Sequence, residues 1–226
     1  MSNLAEEKRF TYADYIKWGN KNNDIRYELI DGIAYAMASP SPEHQAISGE
    51  LHGQLWQFLK GKPCKIYATL DVRLNADNFD DIVVQPDLLI VCDKSKINGR
   101  SIKGTPDMII EILSPSNTSH DIKTKFILYQ RVGVKEYWIA DPFTKTVQVY
   151  ILRNGKYSKG IIYRDDDIIP VNILAGCEIN LADVFIDDIQ SEYSGESRLK
   201  QRLIEAMQAK GISEADIQDI IKNFDD

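Results

Sequence analysis

The chain has 226 residues, enough for one α/β domain or for one domain with an extension. It is 43% hydrophobic and 27% charged, the composition of a globular, soluble protein, and it contains no run of about 18 apolar residues that could span a membrane. The net charge of −7 argues against a simple basic nucleic-acid binder.

A nuclease is still compatible with that charge, because carboxylates that hold a divalent cation are themselves negative. Part of the acidity is local: "DNFDD" (77–81), "RDDD" (164–167) and the final "FDD" read as solvated loops and a tail. The opening "MSNLAEEKRF" is charged and lacks the apolar core of a signal peptide. Cys64, Cys92 and Cys177 are scattered, with no CxxC pair. They are expected as buried thiols of a reducing compartment, the cytoplasm, and not as a disulfide framework or a zinc site.

In chain order, Thr11 and Asp14 have capping-box spacing ahead of a helical pattern in "TYADYIKWGN". "RYELIDGIAYAM" predicts two short strands around Asp31-Gly32, a strong hairpin signal. A helix follows with Ser41 as N-cap and Pro42 at its first position. Its apolar residues Ile47, Leu51, Leu55, Phe58 and Leu59 recur at helical spacing, and Gly61 closes it. "CKIYATLDVRL" reads as a strand, and "DIVVQPDLLIVCD" as another, with Pro86 marking an edge or bulge. "PDMIIEIL" is apolar on both faces, like a central strand. The next helix runs from about Ser119 to Val132 and ends at Gly133. "KEYWIADP", "KTVQVYILR" and "GKYSKGIIY" read as strands, the last two joined around Asn154-Gly155. From about Glu192, two helical pieces broken at Gly211 suggest a C-terminal extension (191–226) to a main domain at 1–190.

Four residues break the apolar pattern. Glu111 stands among Ile109, Ile110, Ile112 and Leu113, where a lone carboxylate would cost several kcal/mol. Asp87 directly precedes "LLIVC". In "DIKTKFILYQ", positions 122, 125, 126 and 129 form the buried stripe of an amphipathic helix, and Lys125 is the residue that does not fit it. Glu28 lies between Tyr27 and Leu29, just ahead of the hairpin turn. Two carboxylates on neighbouring strands beside a lysine suit Mg²⁺ or Mn²⁺, which prefer hard oxygen ligands. Such an ion activates water and offsets phosphodiester charge.

Each residue also has a plainer reading. Glu111 and Lys125 could be a buried ion pair without catalysis. Asp87 after a proline could be a strand-start residue. Lys125 could extend its amine to solvent, and Glu28 could sit on an exposed hairpin face. His44 and His52 are eight residues apart on one helix and offset around its axis, so a shared metal is not expected; His44 is a candidate supporting contact. Tyr137 and Trp138 read as core residues. "SPS" (114–116) leads into the following helix, where Ser114 and nearby N–H groups could meet a phosphate.

The ordered set "RYELIDG", "PSPEHQ", "QPDLLIV", "EILSPSN", Asp121–Lys125–Tyr129 and "GVKEYWIADP" spans about residues 10 to 185. It resembles the PD-(D/E)XK nuclease superfamily, and within it the Uma-two branch of bacterial endonucleases. The resemblance implies a restriction-endonuclease-like α/β (α+β) fold: a central mixed sheet flanked by helices. It implies that Asp87, Glu111 and the backbone carbonyl of Ile112 bind Mg²⁺ or Mn²⁺, and that Glu28 completes the metal site or binds a second metal. One position departs from the pattern. The superfamily usually carries lysine two residues after the acidic residue, where this chain has Leu113. The resemblance moves that lysine to Lys125, with Tyr129 supporting it one turn away.

The leading expectation is therefore a Mg²⁺-dependent endonuclease acting on nucleic acid, most simply DNA. Lys103 and Lys123, with Lys94, Lys96 and Arg100, are candidates for a basic rim, and a homodimer is the default assembly. Two rivals stand beside it. One is a nuclease fold retained as a binding or assembly module, with Glu111 and Lys125 in direct contact and no room for a cation. The other is a metal-dependent hydrolase of a small phosphorylated substrate in a closed pocket.

Overall fold

The computed structural model describes residues 9–19, 25–114, 119–185 and Met207. The chain divides into two compact units, Met1–Phe185 and Ile186–Asp226. The helical pieces expected after Glu192 fall, apart from Met207, outside the described residues, as do Ser116 and most of the loop ahead of the second long helix. Among the described residues, no helix is long and apolar enough to cross a membrane.

The first helix, α1 (Tyr12–Gly19), starts where expected: Thr11 donates to Asp14 Oδ2 from both its N–H (3.2 Å) and its hydroxyl (3.1 Å). Strands β1 (Tyr27–Ile30) and β2 (Ile33–Ala36) form the predicted hairpin. Asp31 and Gly32 both take positive φ, 49° and 80°, as a two-residue primed turn requires. Helix α2 (Pro42–Leu59) begins at the Ser41 cap and buries Ile47, Leu51, Leu55 and Leu59.

Two expected strands are each broken. "CKIYATLDVRL" forms β3 (Lys65–Ala68) and β4 (Val72–Arg73), interrupted at Thr69 with φ 51°. "DIVVQPDLLIVCD" forms β5 (Val83–Val84) and β6 (Leu88–Val91), interrupted at Pro86, which has no N–H to continue a ladder. Strand β4 pairs with β5, and β3 pairs with β6, but the two pairs belong to different sheets. A two-stranded ribbon thus bends out of one sheet and into the other.

After it come β7 (Ile97–Asn98) and β8 (Ser101–Lys103), then β9 (Met108–Ile112), helix α3 (Ser119–Val132), β10 (Glu136–Asp141) and β11 (Thr146–Arg153). "GKYSKGIIY" is also two strands, β12 (Lys156–Tyr157) and β13 (Ile161–Arg164), both against β11. A Cβ at the intervening Gly160 would lie 2.6 Å from the Gln148 side chain, so the chain passes there without one. Strands β14 (Ile168–Pro170) and β15 (Glu178–Asn180) pair with each other. Pieces of two or three residues, such as β7, β8, β14 and β15, are too short to show the alternation from which strands are read.

The first sheet runs β2-β1-β5-β4-β8-β7, and the second β12-β11-β10-β9-β6-β3, with β13 also on β11. Strand β9 is central, antiparallel to β6 and parallel to β10. One face of the second sheet packs on α2 through Met108, Ile110, Ile112, Trp138 and Leu88. The other face packs through Ile109, Leu89 and Tyr137 on α3 and on Val72, Val84 and Ile102 of the first sheet. Tyr137 and Trp138 are core residues, as expected.

The cysteine expectation is corrected. Cys64 and Cys92 form a disulfide, and only Cys177 is a buried free thiol. The β3–β6 register pairs Lys65 with Val91, so one further step sets the two cysteines opposite each other. Their separation of 28 residues carries no trace of that register.

Candidate active site

The site grows out of the alternation of β9. Ile109 faces α3 and the first sheet, so Glu111, two residues on, faces the same way. That puts a carboxylate, 9% exposed, between two apolar layers. Its Oε1 accepts from Lys125 Nζ at 3.1 Å and from the Tyr129 hydroxyl at 2.6 Å. Both donors come from α3, one helical turn apart, on the stripe that α3 turns towards the sheet. Tyr129, expected as a support for Lys125 one turn away, shares the Glu111 oxygen with it.

Asp87 sits where the β6–β9 ladder ends. Leu88 pairs with Ile110, so one step further puts Asp87 opposite Glu111. Residues opposed in this way have Cβ atoms about 4.5–5.5 Å apart. The N–H of Ile112 donates to Asp87 Oδ2 at 2.8 Å, a side chain taking the place of a strand carbonyl. A strand residue projects its N–H and C=O to the same edge, so the Ile112 carbonyl also points towards β6. His44, in the first turn of α2, places Nε2 3.2 Å from the same Asp87 oxygen.

Glu28 comes from the first sheet and is 5% exposed. Its Oε1 accepts from the Gln85 N–H at 2.8 Å, and its Oε2 lies 3.0 Å from Lys125 Nζ. Gln85 is itself fixed: its side-chain amide donates to Asp71 Oδ1 (2.7 Å) and to the Tyr15 hydroxyl (2.8 Å). Tyr15 in turn donates to Asp71 at 2.8 Å. The Glu28 reading as an exposed hairpin residue is therefore set aside.

These placements shift the protonation equilibria. Burial pushes the Glu111 carboxyl up to about 7; Lys125 pulls it down, while Asp87 and Glu28 push it further up. Burial works to lower the Lys125 pKa, but the charges of Glu111 and Glu28 outweigh it and hold the amine above its ordinary value. Burial, then Glu111 and Glu28, keep the Tyr129 hydroxyl protonated well past its usual range.

Glu28, Asp87, Glu111, Ile112, Lys125 and His44 all line one cavity of about 260 Å³. That volume takes several waters at about 30 Å³ each. Among the described residues, no three His, Cys, Asp or Glu side chains are grouped to cage a metal. Two carboxylates and a carbonyl are nevertheless a fitting set for Mg²⁺, which keeps several waters and uses one or two carboxylates. Among the described residues, the donors to Glu111 meet Oε1 and the contacts of Asp87 fall on Oδ2.

Residues 12–182 match the Uma2 family, described as "Putative restriction endonuclease". The chain belongs to the Uma2 family. It is 29% identical over 138 residues to the uncharacterized protein slr1290 of Synechocystis sp., covering 61% of this chain and 71% of that one. Its fold matches a crystal structure from Anabaena variabilis described as a "putative nuclease belonging to DUF820", with TM-score 0.63 and 21% identity. The match covers 78% of this chain and 97% of the other. The expected restriction-endonuclease-like architecture is borne out at the level of fold.

In this Uma2 protein the expected basic rim does not line the cavity. Lys103 Nζ lies 3.6 Å from Asp77, and Lys96 Nζ donates to the Thr105 carbonyl at 2.7 Å. Lys123 is exposed on α3, two positions from Lys125 and so on the opposite side of that helix. Lys94 and Arg100 are exposed as well. The cations among the described lining residues are Lys125 and Arg26; Ser114 also lines the cavity. Sequence reasoning missed Arg26, Gln85, Tyr15 and Asp71. Gln85 did carry a signal, a polar break in "VVQPDLL", and Arg26 stands two residues before Glu28, on the same side of an extended strand.

Proposed function

We propose that the chain is a Mg²⁺- or Mn²⁺-dependent endonuclease that hydrolyses phosphodiester bonds of nucleic acid, with DNA as the substrate. The observation that carries this reading is the opposition of Asp87 and Glu111 at the end of the β6–β9 ladder, with Lys125 against Glu111 on the wall of one cavity. Asp87, Glu111 and the Ile112 carbonyl oxygen would hold the cation. When bound, it lowers the pKa of a water and offsets charge on the phosphate.

The protein's own groups divide the remaining work. Lys125, held as an ammonium by two carboxylates, supplies positive charge to the phosphate oxygens as the water attacks and the phosphorus–oxygen bond breaks. Both Glu28 oxygens are already engaged, by Lys125 and by the Gln85 N–H, so Glu28 acts as the counter-ion that aims Lys125. Tyr129 stays protonated and donates to Glu111, which fixes one carboxylate oxygen and leaves the other for the cavity.

A second reading has one observation in its favour. Glu111 and Lys125 are in direct contact, as a retained binding module with paired charges requires. Supercoiled plasmid separates the two. Wild type with Mg²⁺ or Mn²⁺ is expected to nick it, and Glu111→Ala and Lys125→Ala are expected not to. Wild type that cuts no DNA or RNA leaves the binding module standing, and variants that cut equally well remove the assignment of these residues.

A further inference from the structure

We infer that His44 is a positioning residue for Asp87: it selects which carboxylate oxygen faces the cavity and so sets the affinity of the site for a divalent cation. The inference rests on the reading of Asp87 as a cation ligand.

Position 44 belongs to the buried stripe of α2, three residues before Ile47 and seven before Leu51. Helical side chains lean towards the N-terminus, so His44 reaches off the end of that stripe, beyond the apolar core. Its backbone N–H donates to the Ser41 hydroxyl at 3.1 Å, which ties the residue to the helix cap. The ring is 6% exposed, and Nδ1 is buried with no partner among the described residues.

A leucine at this position would continue the apolar stripe and leave no polar atom unmet. An unsatisfied buried acceptor instead costs about 1–3 kcal/mol. Core packing gives no reason for a histidine here; Asp87 does. Nε2 lies 3.2 Å from Asp87 Oδ2, and because a carboxylate can only accept, a proton on Nε2 suits that approach.

Two groups then converge on one oxygen. The Ile112 N–H at 2.8 Å and His44 Nε2 at 3.2 Å both meet Asp87 Oδ2. The backbone N–H alone fixes one contact and leaves the carboxylate free to pivot about it. The imidazole supplies the second contact and settles its orientation, turning Oδ1 away from both donors. Glu111 has the corresponding support from Tyr129 and Lys125 on its own Oε1. Each carboxylate is thus gripped by one oxygen, and His44 completes the grip on Asp87. Partners of this kind typically change metal affinity by about 10–100-fold when removed.

The test is titration of Mn²⁺ into chelator-treated protein, with free Mn²⁺ read by electron paramagnetic resonance. His44→Leu removes the donor at similar bulk and is expected to weaken binding at least about tenfold. His44→Gln keeps a side-chain N–H near the Nε2 position and is expected to bind close to wild type. Should His44→Leu fail to fold, His44→Met, equally without a donor, carries the same expectation. Leucine or methionine variants that bind as wild type does, or a glutamine variant that loses affinity as they do, overturn the inference. Plasmid cleavage on the same samples separates the two readings. Binding that depends on His44 without any cutting defeats only the nuclease reading. Metal-dependent cutting with binding indifferent to His44 defeats only this inference, and wild type that binds no Mn²⁺ defeats both.

Discussion

Glu111 and Lys125 meet at 3.1 Å beside a largely apolar layer, and neither is placed there by its own secondary structure alone. The strand would bury a hydrophobic residue at 111, and the helix would do so at 125. Lys125 and Tyr129 offset the cost of Glu111, Glu111 and Glu28 that of Lys125, and the Coulomb gain of buried charges commonly no more than matches their desolvation. The pair therefore adds little net stability. It does hold two charges ready beside a cavity.

This arrangement predicts a pH dependence with a definite sign. The folded Glu111 carboxyl titrates at about 7, above its ordinary value of 4.5, because burial disfavours the anion. A raised folded pKa means that the folded state binds the proton more tightly. The stability it contributes is fully present below the unfolded value and is lost as pH rises towards about 7. In metal-free protein, the stability of wild type relative to Glu111→Gln should fall across that window by on the order of 3 kcal/mol. Urea unfolding of both proteins, in chelator, across the window measures it. A difference that is flat or rises with pH would be incompatible with a buried, proton-hungry Glu111.

Leu113 occupies the position where the PD-(D/E)XK pattern that the sequence resembles carries lysine, and alternation puts it on the same face as Glu111. A lysine there should reach the same carboxylate that Lys125 now touches. Lys125→Ala is expected to abolish plasmid cleavage, and Leu113→Lys added to it should restore cutting to within about a hundredfold of wild type, or about 2.7 kcal/mol of barrier. If the double variant is as silent as the single one, the amine is needed at the place where α3 delivers it.

Arg26 is the cation in the cavity lining that no carboxylate among the described residues engages. Its planar fork suits a phosphate better than a lysine would. With Ca²⁺ in place of Mg²⁺, DNA binding by Arg26→Ala should weaken, and the slope of log affinity against log salt should become shallower by about one unit. Fluorescence anisotropy over a salt series reads both quantities. An unchanged slope would mean that Arg26 meets no phosphate.

Much of the site was legible because it breaks patterns. Glu111 and Lys125 stand out as charges in apolar periodicities, Asp87 directly precedes β6, and Glu28 is the charge within β1. What could not be read was register. The opposition of Asp87 with Glu111 and that of Cys64 with Cys92 depend on how two strands slide past each other, and no local residue choice announces it. The strand breaks at Thr69 and Pro86 were hidden for a related reason. Each apolar run looks continuous, and only the presence of a second sheet decides that it changes partners. The Tyr15–Asp71–Gln85 network joins residues 56 and 14 positions apart, too far for any spacing rule.

The ribbon that crosses between the sheets gives the site an unusual dependence. Glu28 hangs from one sheet, while Asp87 and Glu111 hang from the other. Gln85 and Asp87 flank Pro86 at the crossing itself. The separation of the carboxylates is therefore a gauge of the angle between two sheets, not a property of any one strand. Substitutions in the apolar layer of Val72, Val84 and Ile102 that tilt one sheet against the other would change that separation without touching a single polar atom.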